Sequence, residues 1–414
     1  MWRVVAVVPL VSTVALAAGQ EGRAGLTLES AMALARARAP SVLAADTELR
    51  AEQASRVGAT PLFARNPSLE GGAGGMLVPA ARLRDWRDTT AGPTAFLGVA
   101  IPIEIAAQRW SRVAAVDARI AVRRANRDDA VREALFSVGE EFFRVLHAQR
   151  REQLAEETVA VATRWCAAIR ARQAAGDASR LDVRIADAEL ATAEQALLAH
   201  RGAHHVAKAR LAALLGAGTE AVQDVTGDLV PPTPLPSLED ALAHLAERAD
   251  IRAVRMGRGA ALREANVAAG NAFPSPTLKS YYQYWNREHA LMATVEVPLP
   301  IFDRGQGEEA RARARASGLA AEPDARLDRA RMEVTQAWEL ARTLASLREV
   351  SSSRDDAMTL PADLEEQLRS HRVELATVLL AQRQVMQLRA EALDLQLLEA
   401  MARLWLDHAS GVLK

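Results

Sequence analysis

Three histidines, His200, His204 and His205, come closest to a chemical site by spacing. His200 and His204 stand at i and i+4, so on a helix they share a face, a separation that can bind a divalent cation. No carboxylate lies one turn to either side on that face, and the other five histidines are scattered, so no metal site is expected. Glu140-Glu141 is a carboxylate pair. Adjacent residues of a helix point to different faces, so it reads as a solvated helix surface rather than an acid–base dyad. The one cysteine, Cys166, excludes an intramolecular disulfide and a cysteine-based metal site. Beside Trp165 in an apolar helical pattern, it is expected to be a buried thiol. No nucleophile elbow, Walker loop or zincin motif is present. No catalytic residue, metal or cofactor is assigned, and no enzymatic activity.

The chain must therefore be read through its elements. It has 414 residues, half of them hydrophobic, but only 4 % aromatic. Ala, Leu, Arg and Glu dominate, the composition of long helices and coiled coils. A net charge of -1 offers no global basic field, so no nucleic-acid partner is expected. Only Lys208, Lys279 and Lys414 among the 51 basic residues are lysines, which we read as genome bias. At the N-terminus, Arg3 precedes an apolar run from Val4 to Ala17, and Ala15-Leu16-Ala17 fits a small-residue cleavage site. Residues 1–18 read as a secretory signal peptide, with a buried N-terminal helix as the alternative. Beyond them no apolar stretch of about 20 residues is available for a transmembrane helix.

The sequence repeats. Leu28-Glu29-Ser30-Ala31 recurs as Leu238-Glu239-Asp240-Ala241, Asn66-Pro67-Ser68-Leu69 parallels Ser275-Pro276-Thr277-Leu278, and Val99-Ala100-Ile101-Pro102 parallels Val295-Glu296-Val297-Pro298. The first unit spans 19–230, with strands at 66–77 and 94–103 and a long helical hairpin over 104–216. A proline-rich linker, 231–237, leads to the second unit, 238–414, with strands at 275–286 and 289–299 and a hairpin over 303–412. The class is mainly α with a small β part, internally duplicated. From Ala106 to Gln173 there is no proline and one glycine, Gly139; at about 1.5 Å per residue such a helix reaches on the order of 100 Å. Pro323 should kink the second long helix and Pro361 should disturb it again.

The strand segments alternate. Leu69, Gly71 and Ala73 fall on one face, as do Ala95, Leu97, Val99 and Ile101; Leu278, Tyr282 and Tyr284 oppose Thr277, Lys279 and Gln283; Leu291, Ala293 and Val295 oppose Met292, Thr294 and Glu296. Such alternation is the weak signature of a membrane barrel, or of a small soluble sheet with an aromatic face. Tyr281, Tyr282, Tyr284 and Trp285 cluster in one strand, as aromatics do where a barrel meets lipid headgroups. Four strands cannot close a membrane barrel, whose smallest members have about eight, and an open edge in lipid leaves backbone groups unpaired. Membrane-embedded strands would have to be pooled between subunits.

Two junctions carry a resemblance. Val297-Pro298-Leu299-Pro300-Ile301-Phe302-Asp303-Arg304-Gly305-Gln306-Gly307-Glu308, and its counterpart Ile101-Pro102-Ile103-Glu104 running on to Gln108-Arg109, resemble the strand-to-helix junctions of the TolC family of outer-membrane efflux proteins. The closest likeness is to the cobalt–zinc–cadmium branch. Read without the family, Pro298 and Pro300 stop the strand, Asp303 can cap the helix, and Glu308 puts charge in its first turns. The resemblance implies a homotrimer forming a twelve-stranded barrel in the outer-membrane lipid above a helical tunnel through the periplasm. It implies a passive duct whose partners are a periplasmic adaptor and an inner-membrane efflux transporter.

At the periplasmic tip, Gly176 permits a tight turn and Asp177 or Ser179 can cap the return helix. The segment resembles the glycine-centred tip where adaptors dock. Asp182 matches a family position at the closed aperture; read alone, it is equally a solvated helix charge. In the second unit, Arg372 stands where the glycine would be, Val378 where an acidic gate residue can stand, and Glu374 is the nearest carboxylate. The same fold could serve type I protein secretion, and a soluble periplasmic coiled-coil scaffold is the reading from a different class.

Overall fold

The structure is a computed structural model that describes residues 25–62, 66–75, 93–218, 224–229, 233–285, 288–302, 304–352 and 375–413. The signal-peptide assignment and those made on Pro361, Arg372, Glu374 and Asp303 lie outside the described residues.

Helices α1 (Leu28–Arg38) and α2 (Pro40–Ala59) precede strands β1 (Ser68–Gly75) and β2 (Pro93–Pro102), and then α3 (Gln108–Ala175) and α4 (Arg180–Leu214). The same order follows in α5 (Leu238–Ala243), α6 (Ala249–Asn271), β3 (Thr277–Trp285) and β4 (Glu288–Glu296), then α7 (Gln306–Gly318), α8 (Glu322–Ser352) and α9 (Leu375–Ser410). Each start has a local cause. Thr27 caps α1 through a reciprocal box with Ser30, Pro40 opens α2 at a position where its missing N–H costs nothing, and Ser237 accepts from the Asp240 amide at the head of α5.

The 68 residues of α3 form the spine, about 100 Å long at 1.5 Å per residue. Near one end the helices lie in the row α2-α3-α6-α7, and near the other in the row α4-α3-α9-α8. The sheet, ordered β1-β2-β3-β4 and antiparallel throughout, repeats the order of the first row, because each of its strands joins one of those helices. The α2–α3 seam is laced by a ladder of ion pairs, Arg56–Asp117 at 2.7 Å, Arg119–Glu52 at 2.8 Å, Arg123–Glu48 at 2.7 Å and Arg127–Asp46 at 3.1 Å. Exposed pairs of this kind contribute about 0–1 kcal/mol each, so they fix register more than they stabilise. The main apolar core lies at mid-height, where Leu135, Phe142 and Leu146 of α3 meet Ala31 and Ala35 of α1, Leu211 of α4 and Leu404 of α9.

A second core joins α5, α8 and the end of α9, and beside it sits a buried ionic network. The Arg248 guanidinium clasps Asp250 with two hydrogen bonds, 2.7 and 2.8 Å, and also donates to the Ala409 carbonyl at 2.8 Å. Glu333 of α8 lies 3.0 Å from Arg248, and Arg326 donates to Asp250 at 2.8 Å. The network fastens α6, α8 and the C-terminal turn together.

One local expectation changes. The kink assigned to Pro323 is a complete break, with a turn at Leu319–Ala321 between α7 and α8. Proline is the second residue of α8, where its missing amide has no helical partner to lose. Before α7, Gly305 stands at φ 70°. Its counterpart before α3 is Ala107, at φ 56°, so both strand-to-helix turns pass through the left-handed region. At each, the first helical glutamine reaches back to the amide two residues earlier, Gln306 to Arg304 at 2.6 Å and Gln108 to Ala106 at 3.5 Å.

Candidate functional site

No group of three or more metal-ligating side chains occurs among the described residues, and no described helix is long and apolar enough to cross a membrane. The features that can act are the sheet, its junctions and the helical tip.

Antiparallel register places opposite residues on the same face. One face of the sheet collects Leu69, Val99 and Ala293 in one row, and Leu97, Tyr282 and Leu291 in the next, with Leu278 opposite Val295. Most of these side chains are exposed, Leu291 to 80 %. A sheet face this apolar and this uncovered is a surface for something other than water. The opposite face carries Ser68, Glu70, Thr277, Lys279, Gln283, Thr294 and Glu296. There Lys279 reaches Glu296 at 2.5 Å and Glu70 at 3.7 Å, crossing β2 over the small residues Gly98 and Ala100.

The aromatic cluster divides between the faces. Tyr282 and Tyr284 stand on the apolar face, where both pack against the His289 ring and the Tyr282 hydroxyl hydrogen-bonds Nδ1 of His289. Tyr281 faces the other way, edge-on to Phe96 with ring centroids 6.3 Å apart. Tyr281 therefore lies on the opposite face from Tyr282 and Tyr284, because a strand alternates with period two. Trp285 holds the register position opposite Thr94 and Glu288. Pro298 and Pro300 follow the last paired residue of β4, and Phe302 is 90 % exposed. Gln108, almost wholly buried, ties the β2–α3 junction to the α6–β3 turn: its amide donates to the carbonyls of Gly270 and Phe273, both at 3.3 Å, and to Ser275 Oγ at 3.4 Å.

At the far end of α3, Gly176 at φ 89° ends the helix. Its amide reaches the Gln173 carbonyl at 3.0 Å and the Asp177 amide reaches the Arg172 carbonyl at 2.8 Å, the paired bonds of a Schellman turn. Ser179 caps α4 and Asp182 completes the box, its carboxylate accepting from the Ser179 amide and hydroxyl, both at 2.8 Å. The backbone bond from Ser179, then its hydroxyl, holds the Asp182 carboxyl below the ordinary range. Asp182 is thus a capping residue as well as a tip anion. Ser179→Ala should cost about 1 kcal/mol of local stability, read as faster hydrogen exchange of the first-turn amides of α4; unchanged protection there would refute the cap. Val378 is fully buried against Trp165.

Cys166 is buried, and its thiol donates to Asp187 at 2.8 Å. His204 has a carboxylate after all: Glu152 of α3 lies 2.7 Å from its Nδ1. His147 likewise meets Asp394 at 2.7 Å. Both partners come from other helices, so no local pattern could reveal them. Glu141 is buried rather than solvated, and shares Arg144 with Glu140.

A family profile described as outer membrane efflux protein matches residues 31–217. The cobalt-zinc-cadmium resistance protein CzcC of Cupriavidus metallidurans is 30 % identical over 297 residues, covering 70 % of this chain and 66 % of that protein, just under two thirds of its length. Among solved structures, CusC superposes with a TM-score of 0.72 at 18 % identity, covering 93 % of this chain and 92 % of that one. The outer membrane protein VceC of Vibrio cholerae superposes at 0.71 and 20 % identity, covering 93 % and 96 %. These two likenesses are of fold.

Proposed function

We propose a function from one premise: the chain belongs to the outer membrane efflux protein family. In this reading each chain is one of three protomers. The observation that carries it is the sheet. It has four strands, two outer strands with no partner beyond them among the described residues, and one exposed apolar face. Lipid tolerates no open edge, since each unsatisfied backbone group there costs several kcal/mol. Three copies joined β1 to β4 supply twelve strands, with apolar faces toward lipid and the Lys279 face toward the lumen. The strand order of β1 and β4 keeps that junction antiparallel. Below the barrel, the helical rows continue as a hollow rod into the periplasm.

The protein catalyses nothing; it is a passive exit duct. The tip around Gly176, Asp177 and Ser179 docks a periplasmic adaptor, and an inner-membrane transporter of the resistance-nodulation-division type supplies energy. The likeness to CzcC favours divalent metal cations as cargo over drugs. A deletion strain should become sensitive to cobalt, zinc or cadmium and regain tolerance with the gene restored. Unchanged tolerance to metals and drugs alike would overturn efflux, and recovery of the processed chain as a detergent-free monomer would overturn the duct itself.

A further inference from the structure

The apolar face of the sheet does not stop where pairing stops. The last paired residue of β4 is Glu296, opposite Thr277, yet the period-two apolar positions run on through Val297, Leu299 and Ile301, and Phe302 adjoins the last of them. Leu299 is 74 % exposed and Ile301 62 %. The residues between them are Pro298 and Pro300, which have no N–H to leave unpaired, and the Ile301 amide is satisfied by the Leu299 carbonyl at 2.9 Å. An exposed, unpaired strip normally relies on water for its donors. Here two of the six residues from Val297 to Phe302 have no N–H and a third has its N–H satisfied.

Charge appears directly beyond the strip. A cavity of about 520 Å³ opens between the end of α6 and the start of α7, lined by Phe273, Pro298, Leu299, Arg304 and Arg311, with Glu308 the one carboxylate among the described residues that line it. Arg304 is steadied by donating from Nε to the Pro300 carbonyl at 3.2 Å. Among the described residues no carboxylate pairs with Arg304 or Arg311, although Arg313 takes Glu309 at 2.6 Å and Arg315 approaches Glu264 at 3.8 Å. The cavity also adjoins the start of α7, which has no side-chain cap. Two guanidiniums with no ion-pair partner among the described residues, Arg304 just before α7 and Arg311 in its second turn, therefore flank an apolar strip continuous with the sheet. That arrangement is unfavourable alone and complementary to an anion carrying a hydrocarbon tail.

We propose that the β4–α7 junction binds an anionic phospholipid of the periplasmic leaflet, its phosphate held by Arg304 and Arg311 and its acyl chain lying along Leu299, Ile301 and Phe302. This rests on the outer-membrane reading and fixes the depth at which the barrel sits: the strip lies in the leaflet and the arginines at its phosphates. The test uses the purified full-length oligomer in detergent, with bound lipid counted by native mass spectrometry. Phosphatidylglycerol should be retained at least tenfold more tightly than phosphatidylcholine. That preference should vanish in Arg304→Gln/Arg311→Gln and weaken in the single Arg311→Gln, which alters only an exposed helix surface. Phe302→Ser should weaken both lipids alike. Equal binding of the two lipids by the wild type, or a preference unchanged in the arginine variants, overturns the proposal. So does displacement of phosphatidylglycerol by millimolar inorganic phosphate, which would mark a site for a free anion. An oligomer that assembles in the membrane yet shows no lipid preference sinks only this site. A chain that forms no membrane oligomer sinks the duct reading as well.

Discussion

Asp250→Ala should destabilise the folded chain by about 3–5 kcal/mol, because it strands the Arg248 guanidinium as an uncompensated buried charge. The side chains of Arg248 and Asp250 are only 2 % and 5 % exposed, and two parallel hydrogen bonds join them. Burial alone would raise the Asp250 carboxyl. Arg248, Arg132 and Arg326 outweigh it and hold the carboxyl far below the ordinary carboxylate range. The sign follows from linkage. A carboxyl whose folded pKa is depressed contributes stability that is complete above its unfolded value of about 3.9 and is lost as pH falls toward the folded one. The network should therefore hold at any moderately acidic pH and fail only in strong acid.

Three variants separate charge from shape. Asp250→Asn keeps the volume and should lose nearly as much as Asp250→Ala, because the buried cation remains. Arg248→Met with Asp250→Leu should recover most of the loss, since an apolar pair of similar volume carries no desolvation cost. Urea unfolding of the detergent-solubilised protein, followed by helix signal, would measure all three. An Asp250→Ala midpoint within 1 kcal/mol of wild type would show that solvent reaches Arg248 and that the network is not closed.

Gly98→Val should abolish the oligomer rather than weaken it. A Cβ at Gly98 would lie 2.4 Å from Cδ1 of Tyr281 and 2.7 Å from the Ser280 carbonyl oxygen. The first is a side chain that can move; the second is the backbone of the paired strand and cannot. Relieving the clash means parting β2 from β3, the central pair of the sheet, and in lipid each freed backbone group costs several kcal/mol. Heat-modifiable oligomer on a denaturing gel should disappear and outer-membrane recovery should fall to background. Tyr281→Ala added to Gly98→Val should not restore it, because the carbonyl remains. Full rescue by the double variant would place the obstruction in the ring alone. Gly72 differs: its nearest obstacle is the Phe96 ring at 2.6 Å, with no backbone atom among its close neighbours. Gly72→Ala should be tolerated if Phe96 swings away.

Much of this protein is local, and local features are legible without coordinates. The break at Gly176 and the cap at Ser179 use residues within six positions of each other, so type and spacing determine them. Alternation along each strand determines which residues share a face, and the near absence of helix breakers between Ala106 and Gln173 determines that α3 is one long rod. The sequence by itself also shows that four strands are too few to close a barrel.

What tertiary structure alone decided is how charge and polarity are matched across helices. Gln108 meets acceptors at Gly270, Phe273 and Ser275, Glu152 finds His204, and Arg248 reaches Ala409 across 161 positions. A buried polar group must be paired, but no rule of spacing names a partner on a helix that arrives later in the chain. The same limit explains the smaller differences. At the β4–α7 turn the residue before the helix is Gly305, in the left-handed region. The aromatic cluster looks single along the chain, yet the pleat sends Tyr281 across the sheet to cover Gly98. Composition and period thus determined the rods, the strands and the need for partners. Packing decided which side chains hold them together, because burial exists only once neighbouring helices have closed over a residue.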